Sequence, residues 1–382
     1  MNIDLVPDLL SHGARPSVAR TISERVSQEL VIGLVGPVGS GVSTSAGHLR
    51  DILVQDFAYN VCSIIKPSDF IRAEAHRVDR APPPKAPLDV YISEMQTIGN
   101  LLREKFGGNY LAEKAVESIV KFRIENDGVS DTGILLPGRR AYIIDSIKNP
   151  EELDLLKTIY GDSLCVVGVF APDGKRTSRL IDDGIPPTSV KKLLDRDQGE
   201  VATFGQKTRK VSVDADFFVC NDRKKDELRS RIGRFLDLLF DTAVHTPTKA
   251  ECAMYEATSA SANSACMSRQ VGAAIVSQSG ELVAIGWNDV PKFGRGLYKE
   301  DDQSVWDDEK KAILDKDNRC FKWDKHICHN ETRRTGIVEK LARTIANAGV
   351  LKKGKGYTDV HKLLSGSEID SLIEFSRSMR SR

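Results

Sequence analysis

Along the first two thirds of the chain, short apolar runs alternate with longer stretches of mixed polarity. Residues 29–35 (Glu-Leu-Val-Ile-Gly-Leu-Val), 59–65, 140–147, 163–170 and 216–220 form runs of the kind found in strands buried on both faces of a parallel sheet. Residues 151–160 and 224–240 place apolar side chains at helical spacing, and another helix is expected to begin near Gly41. Repeated strand–helix units predict an α/β fold: a parallel sheet with helices on both faces. The cluster Ala81-Pro82-Pro83-Pro84-Lys85-Ala86-Pro87 is read as an extended loop between elements. A different pattern follows residues 243–248. Residues 249–269, rich in Ala, Ser and Met and free of Gly and Pro, predict a helix. Residues 271–277 and 281–288 predict two strands around a tight turn at Ser279-Gly280, and residues 292–298 a flexible glycine loop. The expected organisation is an amino-terminal extension (1–28), a first domain (29–242), a linker (243–248) and a second domain (249–382) with a polar insertion at about 299–365.

The first apolar run leads into Gly36-Pro37-Val38-Gly39-Ser40-Gly41-Val42-Ser43-Thr44. Strand, glycine-rich turn and helix start together make an anion cradle, because bare backbone N–H groups and the helix dipole face one point. The spacing fits G-x-x-x-x-G-K-[ST] with Gly36, Gly41 and Ser43 in place, and Gly39, Ser40 and Thr44 complete the candidate phosphate-binding set. Val42 stands where the lysine belongs. Valine cannot hold β- and γ-phosphates or offset charge during phosphoryl transfer, so active transfer is disfavoured. Phosphate binding and a purely packing role both stay open, and a nearby Arg or Lys could restore the charge. Ser43 retains a hydroxyl able to ligate magnesium brought by a nucleotide. Asp145, at the end of an apolar run, is a candidate magnesium-orienting acid. Arg176, Arg179, Arg196, Arg209 and Lys210 lie in polar segments and are read as mostly solvated.

Composition bounds the remaining classes. Hydrophobic residues make up 40% and charged residues 29%, ordinary values for a globular protein long enough to build two cores. A net charge of +1 gives no global basic field that would argue for direct nucleic-acid binding. No apolar run approaches the ~18 residues of a membrane span. Residues 1–30 lack the apolar core of a signal peptide, so a cytoplasmic location is expected. The seven cysteines are an odd number in scattered positions, which argues against a disulfide framework. Only Cys320 and Cys328 have histidine-rich company. Cys320, His326, Cys328 and His329 fall within ten residues, a spacing that suits tetrahedral zinc and would lend order to the insertion.

The segments Ser264-x-Cys266-x-x-Arg269-x-Val271-Gly272-Ala273, Gly286-Trp287-Asn288-Asp289-Val290-Pro291 and Gly294-x-Gly296-Leu297-Tyr298 resemble the deoxycytidylate deaminase family. Joined to a phosphate-loop, kinase-like first domain, the chain resembles one branch of it, the bacterial anti-phage enzymes that convert dCTP and dCMP to dUTP and dUMP. Residues 145–153, 204–206 and 215–218 also look like that branch. The resemblance implies a second domain with a cytidine-deaminase-like α/β fold. It also implies deoxycytidine nucleotides as substrates, a deoxynucleotide effector and a homo-oligomer. By it, Asn288 would hydrogen-bond deoxyribose, Arg269 would face substrate phosphate, and residues 294–298 would line an effector or active-site pocket. A turn residue and a helix cap are the plainer readings of Asn288 and Arg269.

The chemistry of such an enzyme needs a His or Cys and two further Cys on zinc, with a Glu as proton shuttle, in an H-x-E … P-C-x-x-C signature. No P-C-x-x-C occurs, and the one H-x-E is His329-Asn330-Glu331, inside the insertion. The expectation is therefore a structural zinc without a catalytic one, a truncated and poorly packed deaminase-like part, and a chain that does not deaminate by itself. The alternative is a non-catalytic nucleotide-binding protein that regulates a partner by co-assembly. An active phosphate-loop kinase is the less favoured third reading.

Overall fold

A computed structural model describes residues 29–364 apart from 60, 127, 134–135, 137, 199–206, 224, 268, 293–295, 303–304, 315–316, 318, 323–326 and 349–355. The chain divides into two units, Met1–His245 and Thr246–Arg382, with the break inside residues 243–248.

The first unit is built on a five-stranded parallel sheet of β1 (Glu29–Val35), β2 (Val61–Ile65), β3 (Arg140–Asp145), β4 (Leu164–Phe170) and β5 (Phe217–Cys220), in the spatial order β2-β3-β1-β4-β5. These five strands are the five apolar runs, β1 over its full length and the other four trimmed at an end. Alternation along β1 explains the run. Leu30, Ile32 and Leu34 pack on one face against α1 (Val42–Asp56) and the final helix of the unit, while Val31 and Val35 pack on the other. A strand covered on both sides has no polar face to show, hence the unbroken hydrophobicity.

Between β2 and β3 lie α2 (Pro67–Ala73), α3 (Leu88–Phe106) and α4 (Tyr110–Glu125). The proline cluster is the non-helical approach to α3. After β3 come α5 (Pro150–Tyr160), and after β4 come α6 (Asp173–Asp182), α7 (Pro187–Gln198) and α8 (Thr208–Val213). Helix α9 (Lys225–Phe240) closes the unit over α1 and β5, with Phe240 stacked on Tyr59 and tilted against Phe57. Helices α6 and α7 share a small separate core of Leu180, Ile185, Val190, Leu193 and Leu194, against which Val38, Leu88 and Ile92 pack.

The second unit begins with α10 (Lys249–Ser261), opened by a capping box in which Thr248 and Glu251 satisfy each other's backbone amides. The helix was expected to reach residue 269 and stops at Ser261 instead. Its Ala-rich run ends in Ser261-Ala262-Asn263-Ser264, whose side chains bond nearby backbone. Ser261 Oγ donates to Thr258 O, Asn263 Nδ2 to Ala260 O, and Ser264 Oγ to Asn288 O. Such short polar side chains compete with the helical ladder. An antiparallel hairpin follows, β6 (Gly272–Val276) and β7 (Leu282–Trp287), turning at Gly280 with φ +96°. Within residues 299–365 stand a two-stranded sheet, β8 (Val305–Asp307) and β9 (Ala312–Leu314), and helices α11 (His329–Asn347) and α12 (Tyr357–Leu364). This segment was read as a polar insertion that zinc would order, yet Val338, Ala342, Val360 and Leu364 are buried together between the two helices. The hairpin is less well covered: Ile275 is 63% and Val283 66% exposed. No helix among the described residues is long and apolar enough to cross a membrane.

Candidate functional site

The turn after β1 sits at the carboxyl ends of the parallel strands, between β3 and β4, where open α/β sheets leave a crevice. A cleft of about 890 Å³ opens there, lined by the loop and by Lys66, Asp145, Lys148, Arg179, Asp197 and Asn221 among others.

Four side chains from outside the loop set its backbone. Lys148 Nζ donates to Gly36 O at 2.8 Å and Arg176 Nε to Val38 O at 2.9 Å. Arg179 Nη1 donates to Gly39 O at 3.1 Å and Asn221 Nδ2 to Ser40 O at 2.8 Å. Because a planar trans peptide points its C=O and N–H in opposite directions, fixing these carbonyls aims the Gly39 and Gly41 amides the other way. Gly41 precedes α1 at φ +91°, a conformation that costs an L side chain, and it has no side-chain cap. Among the described residues no protein acceptor meets the amides of Gly39, Gly41, Val42, Ser43 or Thr44. The result is a ring of converging donors at the positive end of a helix dipole.

Val42 is buried in the core with Ala46 and Leu49, and a Cβ on Gly36 would come within 2.7 Å of Val42 Cγ2 and 2.6 Å of Val169 O. The valine thus fills the inner side of the loop with hydrocarbon, and the loop itself contributes no charge. Cations arrive from elsewhere. Three of the arginines expected to be solvated are held instead: Arg176 is 2% exposed, Arg179 also bonds Asn221, and Arg196 bonds Ser93 O and Thr97 Oγ1, while Lys210 is exposed. They serve the loop and its surroundings from α6 and α7. Ser40 Oγ and Arg176 Nη2 are buried at the loop without a partner among the described residues.

Lys148 was not visible as a site residue from sequence. Its amine lies 2.8 Å from Asp197 Oδ1, while Asp197 Oδ2 accepts the Val38 amide at 2.7 Å. Asp197 is fully buried. Lys148 is itself placed by Glu152, whose Oε2 accepts the Lys148 and Asn149 amides at 3.0 and 3.1 Å. Glu152 Oε1 in turn accepts Arg103 Nε at 2.8 Å in a buried ion pair. Helix α5 starts on this same knot, since Asn149 caps it and Glu152 completes the capping box. Asp145, buried at the end of β3, lines the cleft and accepts Ser146 Oγ at 3.1 Å. Ser43 and Asp145 are oxygen donors of the kind a magnesium ion carried by a nucleotide takes. Cys165 on β4 is no nucleophile: burial pushes its thiol up to about 12, with nearby Asp216 adding to the rise.

In the second unit Asn288 and Arg269 come together, but through the Asn288 side chain. Its Nδ2 donates to Arg269 O at 2.7 Å and its Oδ1 accepts the Val271 amide at 2.7 Å and Ser264 Oγ at 3.0 Å. The amide clips the end of the hairpin to the segment after α10. Of the zinc candidates, Cys320 lies in a 3-10 turn and Cys328 caps α11; His326 and the side chain of His329 lie outside the described residues. Two thiolates do not complete a tetrahedral zinc site, and no group of three or more His, Cys, Asp and Glu able to hold a metal occurs among the described residues. Residues 204–206 and 293–295, the side chain of Arg209 and that of Glu331 also lie outside them.

No family model and no curated protein matches the chain. Solved structures similar to it include a shikimate kinase from Acinetobacter baumannii in complex with shikimate (TM-score 0.32, 14% identity, 59% of this chain and 99% of that one). Others are the Aquifex aeolicus shikimate kinase (0.27, 17%, 55% and 96%) and the dephospho-CoA kinase of Campylobacter jejuni (0.28, 11%, 56% and 98%). Likeness at this level carries neither ligand nor reaction to this chain, and the cleft has to speak through its own residues.

Proposed function

We propose that this chain is a nucleotide-binding protein whose first unit holds the phosphates of a nucleoside di- or triphosphate on the 36–44 loop without transferring phosphate. The observation that carries this reading is the set of loop amides without an acceptor among the described residues, held toward the cleft by Lys148, Arg176, Arg179 and Asn221. Such donors favour an anion strongly. The buried valine argues against catalysis, because the loop brings no mobile cation of its own and Lys148 beside it is held by Gly36 O and Asp197. Ser43 and Asp145 would hold the accompanying magnesium, which supplies charge neutralisation when bound.

The likeness of residues 264–298 to deoxycytidylate deaminases makes deoxycytidine nucleotides the first ligands to test and a deoxynucleotide effector the next. With no P-C-x-x-C in its 382 residues, the chain is proposed to bind or modulate rather than to deaminate. Calorimetric titration of the full chain with dCTP, dCMP and ATP in magnesium is expected to show micromolar binding of at least one triphosphate, with no release of ADP or ammonia. Gly41→Ala, which forces a side chain onto a φ of +91° and against Asn221, is expected to weaken binding by about tenfold or more. Absence of binding in the unaltered chain, or ammonia released from dCTP, would defeat the proposal.

A structural zinc held by Cys320 and Cys328 with His326 or His329 is a separate proposal for the second unit. Elemental analysis of the purified chain is expected to find about one zinc per molecule, lost in Cys320→Ser/Cys328→Ser. A chain free of zinc after purification without chelators would remove it.

A further inference from the structure

The loop's missing charge and its one captive carboxylate belong to the same corner of the cleft. Asp197, on the last turn of α7, is fully buried and spans two donors: Oδ2 takes the Val38 amide at 2.7 Å, and Oδ1 takes Lys148 Nζ at 2.8 Å, with Thr208 Oγ1 at 3.5 Å. A loop amide and an ammonium converging on two oxygens of one anion make the contact a phosphate oxygen pair would make. Lys148 reaches that point from the turn after β3, anchored at its backbone by Glu152 and at its amine by Gly36 O. It therefore brings to the loop a cation that Val42 cannot. The carboxylate comes from the small α6–α7 core, which packs on Val38 apart from the two cores of the sheet.

We infer that the Val38 amide and Lys148 form an anion subsite for the terminal phosphate of a polyphosphate ligand, and that Asp197 fills this subsite from within the chain until the ligand displaces it. The inference rests on the phosphate-binding reading of the loop and deepens it. Lys148 takes over the charge of the absent loop lysine. The apparent affinity of the wild-type site is lowered by the fraction of molecules in which Asp197 still sits there. A terminal phosphate, carrying more charge than one carboxylate, wins the exchange at sufficient concentration and takes α7 off the loop.

Inorganic pyrophosphate is the probe, titrated calorimetrically into the full chain. Asp197→Asn keeps an oxygen for one donor and removes the competing charge, leaving Lys148 uncompensated. It is expected to bind pyrophosphate about tenfold more tightly than wild type, or better. Lys148→Gln is expected to weaken binding by about tenfold, and to cancel the gain when combined with Asp197→Asn. Thermal melting supplies a second readout. Asp197→Asn alone is expected to melt lower than wild type and to recover more on adding pyrophosphate, a response that a merely structural aspartate would not produce. Should the asparagine variant fail to fold, Lys148→Gln alone still decides, because unchanged affinity in it overturns the inference. If wild type binds pyrophosphate and Asp197→Asn binds it equally or less tightly, the Asp197 inference falls and the loop reading stands. If no variant binds pyrophosphate, both fall.

Discussion

Gly272→Ala is expected to unfold the helix–hairpin core of the second unit while leaving the first intact. A Cβ at position 272 would lie well inside contact distance of the Ala257 carbonyl oxygen and the Ser261 amide, and 3.0 Å from the Ala257 carbonyl carbon. All three are backbone atoms of α10, so no rotamer change relieves the clash and the helix must lift off the hairpin. Overpacking costs about 1–3 kcal/mol where side chains can yield, and more where backbone is the obstacle. Hydrogen exchange followed residue by residue is the direct measurement. Protection should vanish across α10, β6 and β7 and persist in β1, β3 and β4. Retained protection in β6 would show that helix and hairpin do not pack as described. The glycine lies in the Val-Gly-Ala segment that gave the family resemblance, so that segment carries a packing requirement as well as any ligand.

The second large effect is expected at Arg103. Its guanidinium is 2% exposed and pairs with Glu152, 3% exposed, linking α3 to the turn that holds Lys148 and starts α5. Removing one member of a buried pair costs about 3–5 kcal/mol because the survivor is left charged in a poor dielectric. Arg103→Met should fall toward the lower end, since Glu152 keeps two backbone donors. Adding Glu152→Gln should then restore part of the loss, a sign that a simple cavity would not give. Urea unfolding of both variants tests this. A loss below about 1 kcal/mol for Arg103→Met would mean that the pair is not needed. Because the same carboxylate places Lys148, weaker pyrophosphate binding should accompany the destabilisation.

The sheet was legible because its strands are buried on both faces and so announce themselves as unbroken apolar runs. Helices α2 to α4 were not read, although Met95, Ile98 and Leu102 of α3 repeat at helical spacing and are buried. The signal was present and was diluted by polar neighbours such as Glu94, Gln96 and Asn100. The phosphate loop was visible as a motif, and its defect at Val42 with it. The distant side chains that hold the loop were not visible. Lys148 lies 112 positions from Gly36, and Asp197 lies 159 from Val38. Asp197 stands in the run Asp195-Arg196-Asp197, which looks like any solvated helix end. Only tertiary contact separates its fully buried carboxylate from its neighbours. The over-long expectation for α10 shows the opposite weakness. Composition favoured helix through residue 269, while Ser261, Asn263 and Ser264 found better partners nearby and across the hairpin end.

The division of the chain after His245 also divides its chromophores. Trp287, Trp306 and Trp323, all the tryptophans of the molecule, lie in the second unit, and the first has only tyrosines such as Tyr91 at the cleft wall. Light absorbed by indole therefore reports on one unit alone. Indole emission that shifts as dCTP is added would register an event in the second unit, with the 36–44 loop optically silent. The second unit thus carries its own optical probe, and no label has to be attached to follow it.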